Sequence, residues 1–330
     1  MYLIYFIFLF SFALVLKRKE QNMWLYCLFI TFTLILLPWL RHDNIGIDTL
    51  TYKYMFQSIQ NRTFDLNTRI EQGYIYLNEV IAHIGNYRLL WGTIALLSII
   101  PVCIIIKKYS YYCGYSFLLF FTSVGFHTME LAAMRQAVAF GFVVLAFHFL
   151  MLRRLYLYLL ILLIAFTFHY SSIIFLPCYW LYNLKINKKF LILWGVAMAF
   201  CFIFGYTIFL EVNALWNVDY TAFGEVETGG ERFFLVNLLF VIIGFLNYEK
   251  INNFPLIRIP LLIYSLSLLL WPMLNSNPGL FRLQYYFDFF YVIYLPNFIV
   301  ILDNKYIKCV LFGLSIFVAL YIILVLRNVP

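Results

Sequence analysis

Long apolar runs separated by short polar segments make up most of the chain. A helix that spans a bilayer needs about 20 apolar residues, with about 17–25 the usual range. On this basis the pattern predicts an all-α, polytopic integral membrane protein with about twelve transmembrane or re-entrant helices, within a range of about 10–13. The predicted helices lie near residues 1–16, 23–40, 89–106, 111–127, 136–152, 155–168, 172–184, 190–210, 233–247, 259–271, 282–302 and 307–326.

The composition agrees with a protein embedded in lipid. Of the 330 residues, 65% are hydrophobic and only 12% are charged, and the mean hydropathy is +0.89. A soluble domain is about half apolar and about one quarter charged, so this chain has too little polar surface to fold in water. The predicted partner is therefore the lipid bilayer. Nucleic acid is excluded as a partner because no basic run is longer than three residues.

The chain shows no pattern that is typical of a bound metal or cofactor. The six cysteines lie in or beside apolar runs, and no CxxC spacing occurs among them. Walker loops, GxGxxG, GxSxG, HExxH and Asp-x-Asp motifs are also missing. We therefore predict no metal site and no cofactor, and any phosphate group that this protein handles has to be neutralised by its own cationic side chains.

The basic residues set the orientation of the helices. Fourteen of the 23 Lys and Arg residues, among them Lys17–Lys19, Lys107, Lys108, Arg153 and Arg154, fall on one side of the predicted alternation. By the positive-inside rule that side is cytoplasmic. Both termini are then periplasmic, and so are two large polar loops, residues 41–88 and 211–232. Within the first loop, Glu71–Ile84 has helical periodicity and is predicted to lie along the outer interface. We expect one membrane domain over residues 1–330, since the sequence contains no repeat and no linker.

Residues 155–184 form one apolar block with basic residues on both sides. Because both ends of the block are then cytoplasmic, it has to cross the membrane an even number of times, and this predicts a hairpin. Each arm has about 14 residues, which is short for a full span and suits a re-entrant pair. His169 is placed at the tip. It is a candidate general base, because its ordinary pKa is closest to working pH, although a histidine at such a position can equally be structural.

Three arginines, Arg41, Arg135 and Arg282, lie at the outer ends of predicted helices. A charge at such a position is costly and marks a functional site, and the planar guanidinium suits two-point binding of phosphate oxygens. The alternative is that each arginine reaches for lipid headgroups or pairs with a nearby acid, such as Glu130 beside Arg135. Three of them on one face favour the functional interpretation.

The first polar loop also supplies the candidate acids. Asp48 follows Gly46, whose missing side chain permits a tight turn or the close approach of a substrate. Its carboxylate can act as a general base, or bind sugar hydroxyls, or simply cap the helix that follows. Glu71 and Glu79 are further acids in the same loop.

Five short motifs together resemble the EpsG-type family of bacterial polysaccharide polymerases, which are Wzy-like proteins. The first is R-x₄-G-x-D-T-x-x-Y, which runs from Arg41 to Tyr52. The others are G-Y-x-x-L-N from Gly73, R-Q-x-x-A from Arg135, H-x-S from His169 and R-x-x-x-Y from Arg282. They occur in the family's order and cover about residues 41–300.

The resemblance implies an activity and a set of site residues. Repeat units carried on undecaprenyl diphosphate would be joined at the periplasmic face of the bacterial inner membrane, in a fold similar to the GT-C membrane glycosyltransferases. Arg135 and Arg282 would bind the diphosphate, and Asp48 or His169 would accept a proton. A chain-length regulator is implied as a further partner. The expected catalytic residues are Asp48, His169, Arg135 and Arg282, and the expected substrate-binding residues are Arg41, Asp43, Gly46, Thr49, Tyr52, Gln136, Tyr285 and Tyr286.

Two other functions remain open at this point. An O-antigen ligase would use a similar lipid diphosphate donor and similar arginines, but such proteins usually carry their largest outer loop late in the chain. A flippase of lipid-linked oligosaccharides usually shows repeated halves and polar residues near the middle of the bilayer. The polymerase is favoured because the first loop is the largest, no repeat is found, and the charges lie at the outer ends of the helices.

Overall fold

The computed structural model describes residues 2–13, 23–46, 48–65, 70–215, 231–274 and 282–326. Within these ranges every regular element is a helix, and none of the described residues forms a strand. The chain divides into two compact units. The first contains Met1–Tyr179 with Ala319–Pro330, and the second contains Trp180–Val318.

The first unit is built around α5, which packs against α2 and α7, while α8 packs along α7. The two helices of the first polar loop, α3 and α4, contact each other, and α4 also contacts α5 and α8. This arrangement places the first loop over the ends of the long helices. The elements are α1 Tyr2–Ala13, α2 Met23–Trp39, α3 Thr49–Gln60, α4 Gln72–Ile84, α5 Tyr87–Tyr109, α6 Cys113–Phe121, a π-helical turn Phe126–Glu130, α7 Met134–Met151, α8 Leu155–Phe168 and a 3₁₀ helix Tyr170–Asn183.

In the second unit α12 is the central helix, in contact with α9, α10 and α14. Arg258 of α12 is buried and donates hydrogen bonds to the backbone oxygens of Asn252 and Tyr182, at 3.0 and 2.8 Å. This arginine therefore ties chain segments together. The last helix, α15, has residues in both units. The elements of this part of the chain are α9 Lys188–Leu215, α10 Glu231–Leu246, α11 Tyr248–Ile251, α12 Pro255–Leu274, a 3₁₀ turn Arg282–Gln284, α13 Tyr285–Asp288, α14 Tyr291–Ile301 and α15 Lys305–Leu326.

The predicted hairpin at residues 155–184 is confirmed. Helix α8 and the 3₁₀ helix that follows it each have 14 residues, and His169 lies between them. The Tyr158 hydroxyl donates to the Phe175 backbone oxygen at 2.5 Å, and the rings of Tyr158 and Tyr179 lie 5.1 Å apart. The two arms therefore pack against each other, with His169 at the tip as the sequence predicts.

Two predicted helices are wrong as single elements. The helix predicted at 111–127 ends at Phe121, and a separate π-helical turn begins at Phe126. The hydroxyls of Thr122 and Ser123 bond to preceding backbone oxygens, and the Ser123 hydroxyl then accepts the Phe126 N–H, which breaks the regular hydrogen bonding. The helix predicted at 282–302 is divided into Arg282–Gln284, α13 and α14.

Five described helices are long and apolar enough to cross a membrane, and three shorter apolar helices accompany them. The protein is therefore a membrane protein. The count of about twelve spans and the GT-C-like architecture stay predictions, and so does the interfacial position of α4. Most of the second predicted loop, residues 216–230, lies outside the described residues. The five helices are Tyr87–Tyr109, Met134–Met151, Lys188–Ile208, Pro255–Leu274 and Lys305–Val325, and the shorter ones are Met23–Trp39, Leu155–Phe168 and Phe234–Leu246.

Candidate functional site

A buried carboxylate, Glu71, joins two of the predicted catalytic residues. Its Oε2 lies 2.6 Å from Nη1 of Arg135, and its Oε1 lies 2.7 Å from Nδ1 of His169. Oε1 also accepts the backbone N–H of Tyr170 at 3.3 Å. The Glu71 side chain is only 3% exposed, whereas Arg135 and His169 are 28% and 27% exposed. We call Glu71, Arg135 and His169 the Glu71 cluster; its carboxylate is hidden, and its two nitrogen-bearing partners reach the surface.

Arg135 also contacts Tyr52, another residue of the first loop. Its Nε donates to the Tyr52 hydroxyl at 3.4 Å, and the Tyr52 ring meets the Tyr74 ring edge-on at 5.7 Å. Tyr52 and Tyr74 lie at the starts of α3 and α4. The guanidinium is thus fixed along its Nε and Nη1 edges.

Gly73 explains how Glu71 can reach the hairpin tip. A Cβ atom at Gly73 would lie 2.6 Å from Oγ1 and 2.7 Å from the backbone oxygen of Thr167. Such distances are shorter than van der Waals contact, so only glycine lets the start of α4 approach the end of α8 so closely. This approach places Glu71 beside His169, which follows α8.

The first-loop motif docks onto the segment that leads into Arg135. Gly46 adopts φ +90°, and a Cβ there would lie 1.9 Å from the Leu131 backbone oxygen. The Thr49 hydroxyl donates to the Ile45 oxygen at 2.5 Å and lies 3.5 Å from the same Leu131 oxygen. Gly46 is therefore required for both its backbone conformation and its close contact. These contacts set the position of the loop before α7.

Arg41 holds the same segment from another direction. Its side chain is buried, and Nη1 donates to the backbone oxygens of Glu130 and Pro38 at 3.0 and 3.2 Å. Its guanidinium lies over the Trp91 ring, 4.4 Å from the centroid. The carboxyl of Glu130 accepts the Ser98 hydroxyl at 2.6 Å. Arg135 therefore pairs with Glu71, and Glu130 is not its partner.

Asp43 and Asp48 of the first loop occupy different surroundings. Asp43 forms ion pairs with Lys53 at 2.5 Å and with Arg88 at 2.7 Å. The hydrogen bond from Lys53, helped by the charge of Arg88, holds the pKa of the Asp43 carboxyl below its usual range. Asp48 is half-buried and directly precedes α3, and its side chain makes no capping hydrogen bond. The capping interpretation of Asp48 therefore has no support in the described contacts.

The other predicted site residues lie elsewhere on these elements. Gln136 is buried on α7, next to Arg135. Arg282, Tyr285 and Tyr286 belong to the second unit, where Arg282 is half-exposed at the start of a 3₁₀ turn and both tyrosines are buried on α13. The structure thus brings together Arg41, Gly46, Thr49, Tyr52, Arg135 and His169 within the first unit, and the roles of all these residues remain predictions.

The Glu71 cluster combines two chemical capacities. The Arg135 guanidinium can bind an anionic oxygen, and Glu71 orients the His169 ring through Nδ1. A neutral His169 that donates Nδ1–H to Glu71 has its lone pair on Nε2, which can accept a proton. Among the described residues, no group of three or more His, Cys, Asp and Glu side chains is arranged to hold a metal ion.

The ion pairs of Glu71 make the stability of this region depend on pH. Burial alone would raise the pKa of the carboxyl, but the hydrogen bond from His169 and the charge of Arg135 outweigh burial and lower it from 4.5 to about 2. A lowered pKa stabilises the fold fully above the unfolded value and loses this effect as pH falls toward the folded value.

We therefore expect the unfolding temperature of the detergent-purified protein to fall as pH drops from 4.5 to about 2. The contribution lost is about 3 kcal/mol, since one pKa unit corresponds to about 1.4 kcal/mol. In Glu71→Gln this part of the pH dependence should disappear. Equal pH profiles for wild type and Glu71→Gln would contradict the assignment of the effect to Glu71.

Comparison with known proteins decides the family. The EpsG family model matches residues 23–330, which is nearly the whole chain. The chain belongs to the EpsG family. This is a family of Wzy-like polysaccharide polymerases, so the resemblance noted in the sequence is confirmed. Neither the curated proteins nor the solved structures contain a match to the chain.

In this EpsG-family protein, Glu71 is predicted from the sequence only as a further acid of the first loop, without a role and without its two partners. Its partners lie 64 and 98 residues away, so no local spacing connects them. One weak signal was present in the sequence. Glu71 lies two residues before Gly73, which is both the second residue of α4 and the first residue of the G-Y-x-x-L-N motif.

Proposed function

We propose that this protein polymerises oligosaccharide repeat units carried on undecaprenyl diphosphate, at the periplasmic face of the bacterial inner membrane. The observation that carries the proposal is the Glu71 cluster, in a chain of a Wzy-like polymerase family. It pairs an anion-binding group with an oriented base, which are the two groups that transfer of a sugar from a diphosphate requires.

The reaction consists of one substitution at the anomeric carbon. A hydroxyl oxygen of the acceptor sugar forms a bond to the anomeric carbon of the donor glycan. The bond from that carbon to the diphosphate oxygen breaks, and undecaprenyl diphosphate leaves with the electron pair. The acceptor's proton passes to Nε2 of His169, which becomes a cation stabilised by the Glu71 carboxylate. Asp48 is the alternative proton acceptor.

Arg135 stabilises the leaving group in this proposal. Negative charge grows on the diphosphate oxygens in the transition state, and a fixed guanidinium facing them lowers the barrier without having to reorganise. Glu71 and Tyr52 hold Arg135 in place. Arg41, Gly46 and Thr49 act at a distance, because they fix the segment before α7. Arg282 is proposed as a second diphosphate ligand and is tested separately.

Deletion of the gene in its own host tests the proposal. We expect the deletion to leave surface glycolipid with a single repeat, and wild-type complementation to restore a ladder on gels. Arg135→Ala and His169→Ala should fail to restore it at equal membrane expression, whereas Arg154→Ala, an exposed arginine on another loop, should succeed. The Arg282→Ala and Asp48→Ala variants, tested in the same series, show whether polymer formation needs Arg282 as a diphosphate ligand and Asp48 as a proton acceptor.

Other outcomes of the deletion identify other functions. Full-length ladders that remain on undecaprenyl diphosphate would show that the protein is a ligase. Lipid-linked single units that accumulate on the cytoplasmic side would show that it is a flippase. Full activity of both Arg135→Ala and Arg282→Ala would contradict diphosphate binding by arginine, whatever the class of protein.

A further inference from the structure

A cavity with a mixed polar and apolar lining opens at the far ends of α3 and α4. Its volume is about 410 Å³, which lies within the range of small-molecule sites. It does not include any residue of the Glu71 cluster. The lining residues are Ile59, Gln60, Arg62, Phe64, Glu79, Ala82 and His83. We call it the α3–α4 cavity.

The two helices connect this cavity with the Glu71 cluster. Tyr52 and Tyr74 are in ring contact near the helix starts, beside Arg135, whereas Gln60 and Ala82 line the cavity near the helix ends. Helices α3 and α4 therefore run in the same direction. Eight positions separate each tyrosine from its cavity residue, which corresponds to about 12 Å along a helix. A short oligosaccharide is long enough to cover such a distance.

The lining has the mixed character that sugars require. Gln60 offers an amide, Arg62 a guanidinium, Glu79 a carboxylate and His83 an imidazole, so the cavity presents both donors and acceptors. Sugar hydroxyls need both kinds of partner. The half-buried Phe64 ring provides a flat apolar surface against which the C–H face of a sugar ring can pack. A lipid tail would require a more apolar lining, and a polyanion would not favour the Glu79 carboxylate.

We propose that the α3–α4 cavity binds sugar units of the glycan substrate, a few residues away from the reacting anomeric carbon, and so favours the extension of chains that are already long. This inference rests on the proposed polymerase function. It adds a glycan subsite on the first loop that neither catalyses the transfer nor contacts the diphosphate. A chain of several repeats offers the cavity more sugar units than a single repeat unit does, and it is therefore held more tightly.

Arg62 allows a substitution that removes a cavity group without harming the fold. It has φ +57° at the second position after the end of α3, a conformation that glycine adopts at lower energy. Arg62→Gly therefore removes the guanidinium and relieves the backbone. Arg153 supplies the matched control, because it has the same φ of +57° at the second position after the end of α7.

The backbone hydrogen bonds of the two arginines also correspond. The backbone N–H of Arg62 donates to the Ile59 oxygen at 3.0 Å, and the N–H of the residue after it donates to the Ser58 oxygen at 2.9 Å. In the same way, the N–H of Arg153 donates to the Leu150 oxygen and the N–H of the residue after it to the Phe149 oxygen, both at 2.9 Å. Arg62→Gly and Arg153→Gly are therefore the same chemical and conformational change at two places, and only the first alters the cavity.

The test compares ladder lengths in the complemented deletion strain. For Arg62→Gly, Glu79→Gln and Phe64→Ala we expect ladders shifted to fewer repeats at normal membrane expression, and for Arg153→Gly a wild-type ladder. Saturation-transfer NMR with the purified protein and lipid-free polysaccharide, released from the host glycolipid by mild acid, should show binding weakened about tenfold by Arg62→Gly.

The outcomes separate this inference from the proposed function. If wild type restores a ladder and all three cavity variants give wild-type lengths and wild-type polysaccharide binding, the cavity is not a glycan site, although the polymerase proposal stands. If complementation with the wild-type gene gives glycolipids with the same number of repeats as the deletion strain, the polymerase proposal fails. The glycan-subsite inference then fails with it.

Discussion

Glu71→Gln is expected to reduce polymer formation at least about 100-fold while the protein still folds. The amide keeps the size of the side chain and can still accept a hydrogen bond from His169. It removes the negative charge that stabilises a protonated His169, and it leaves the partly buried Arg135 without its counter-ion. A single substitution therefore impairs both groups to which the proposed mechanism gives a role in the transfer step.

Glu71→Ala should have a larger effect, because breaking a buried ion pair from one side costs about 3–5 kcal/mol. This variant is expected to lose expression as well as activity, so the glutamine variant is the decisive one. Gln72→Glu provides a neighbouring control, since Gln72 is exposed at the start of α4. Polymer formed per unit of folded membrane protein is the quantity to measure. Wild-type polymer formation in folded Glu71→Gln would show that the cluster is not catalytic.

Gly46→Ala is expected to abolish activity through a different route. A methyl group there would lie 1.9 Å from the Leu131 backbone oxygen, and φ +90° is unfavourable for any residue with a Cβ. The first loop would have to move away from the segment before α7, and Arg135 would lose its fixed position. We expect the unfolding temperature to fall by several degrees, for a cost of about 2–3 kcal/mol.

Gly195→Ala is the matched control for this substitution. Gly195 lies inside α9, and a Cβ there would have no atom within 4 Å. Since alanine is preferred to glycine within a helix by about 0.5–1 kcal/mol, this variant should be as stable as wild type or more stable. Comparable losses in both variants would mean that any added methyl group is harmful, and the argument for the Leu131 contact would fail.

The elements that the sequence predicts well are those with a local cause. The hairpin at residues 155–184 follows from the charges on its flanks and the length of its arms, and both are local properties. The helix Glu71–Ile84 follows from its periodicity and is present as Gln72–Ile84. The breaks after Phe121 and around Phe289 are different, because apolar composition alone does not reveal where hydroxyl groups or aromatic packing interrupt a helix.

The candidate site is predictable in its members but not in its connections. The motif that begins at Arg41 is recognisable along the chain, yet the sequence does not show that Gly46 and Thr49 meet the Leu131 oxygen. Sequence proximity suggests Glu130 as the partner of Arg135. The actual partner, Glu71, becomes available only when Gly73 packs against Thr167 of α8. Such contacts depend on tertiary packing and not on local spacing.

The central claim is tested most directly by a reconstituted reaction. The purified protein would be placed in lipid vesicles with undecaprenyl-diphosphate-linked single repeat units, and the glycan products separated by size. The account predicts products of two and more repeats with release of undecaprenyl diphosphate, and no such products with Arg135→Ala or Glu71→Gln. If wild type forms no longer product while moving the lipid-linked units across the bilayer, or if both variants polymerise like wild type, the account is wrong.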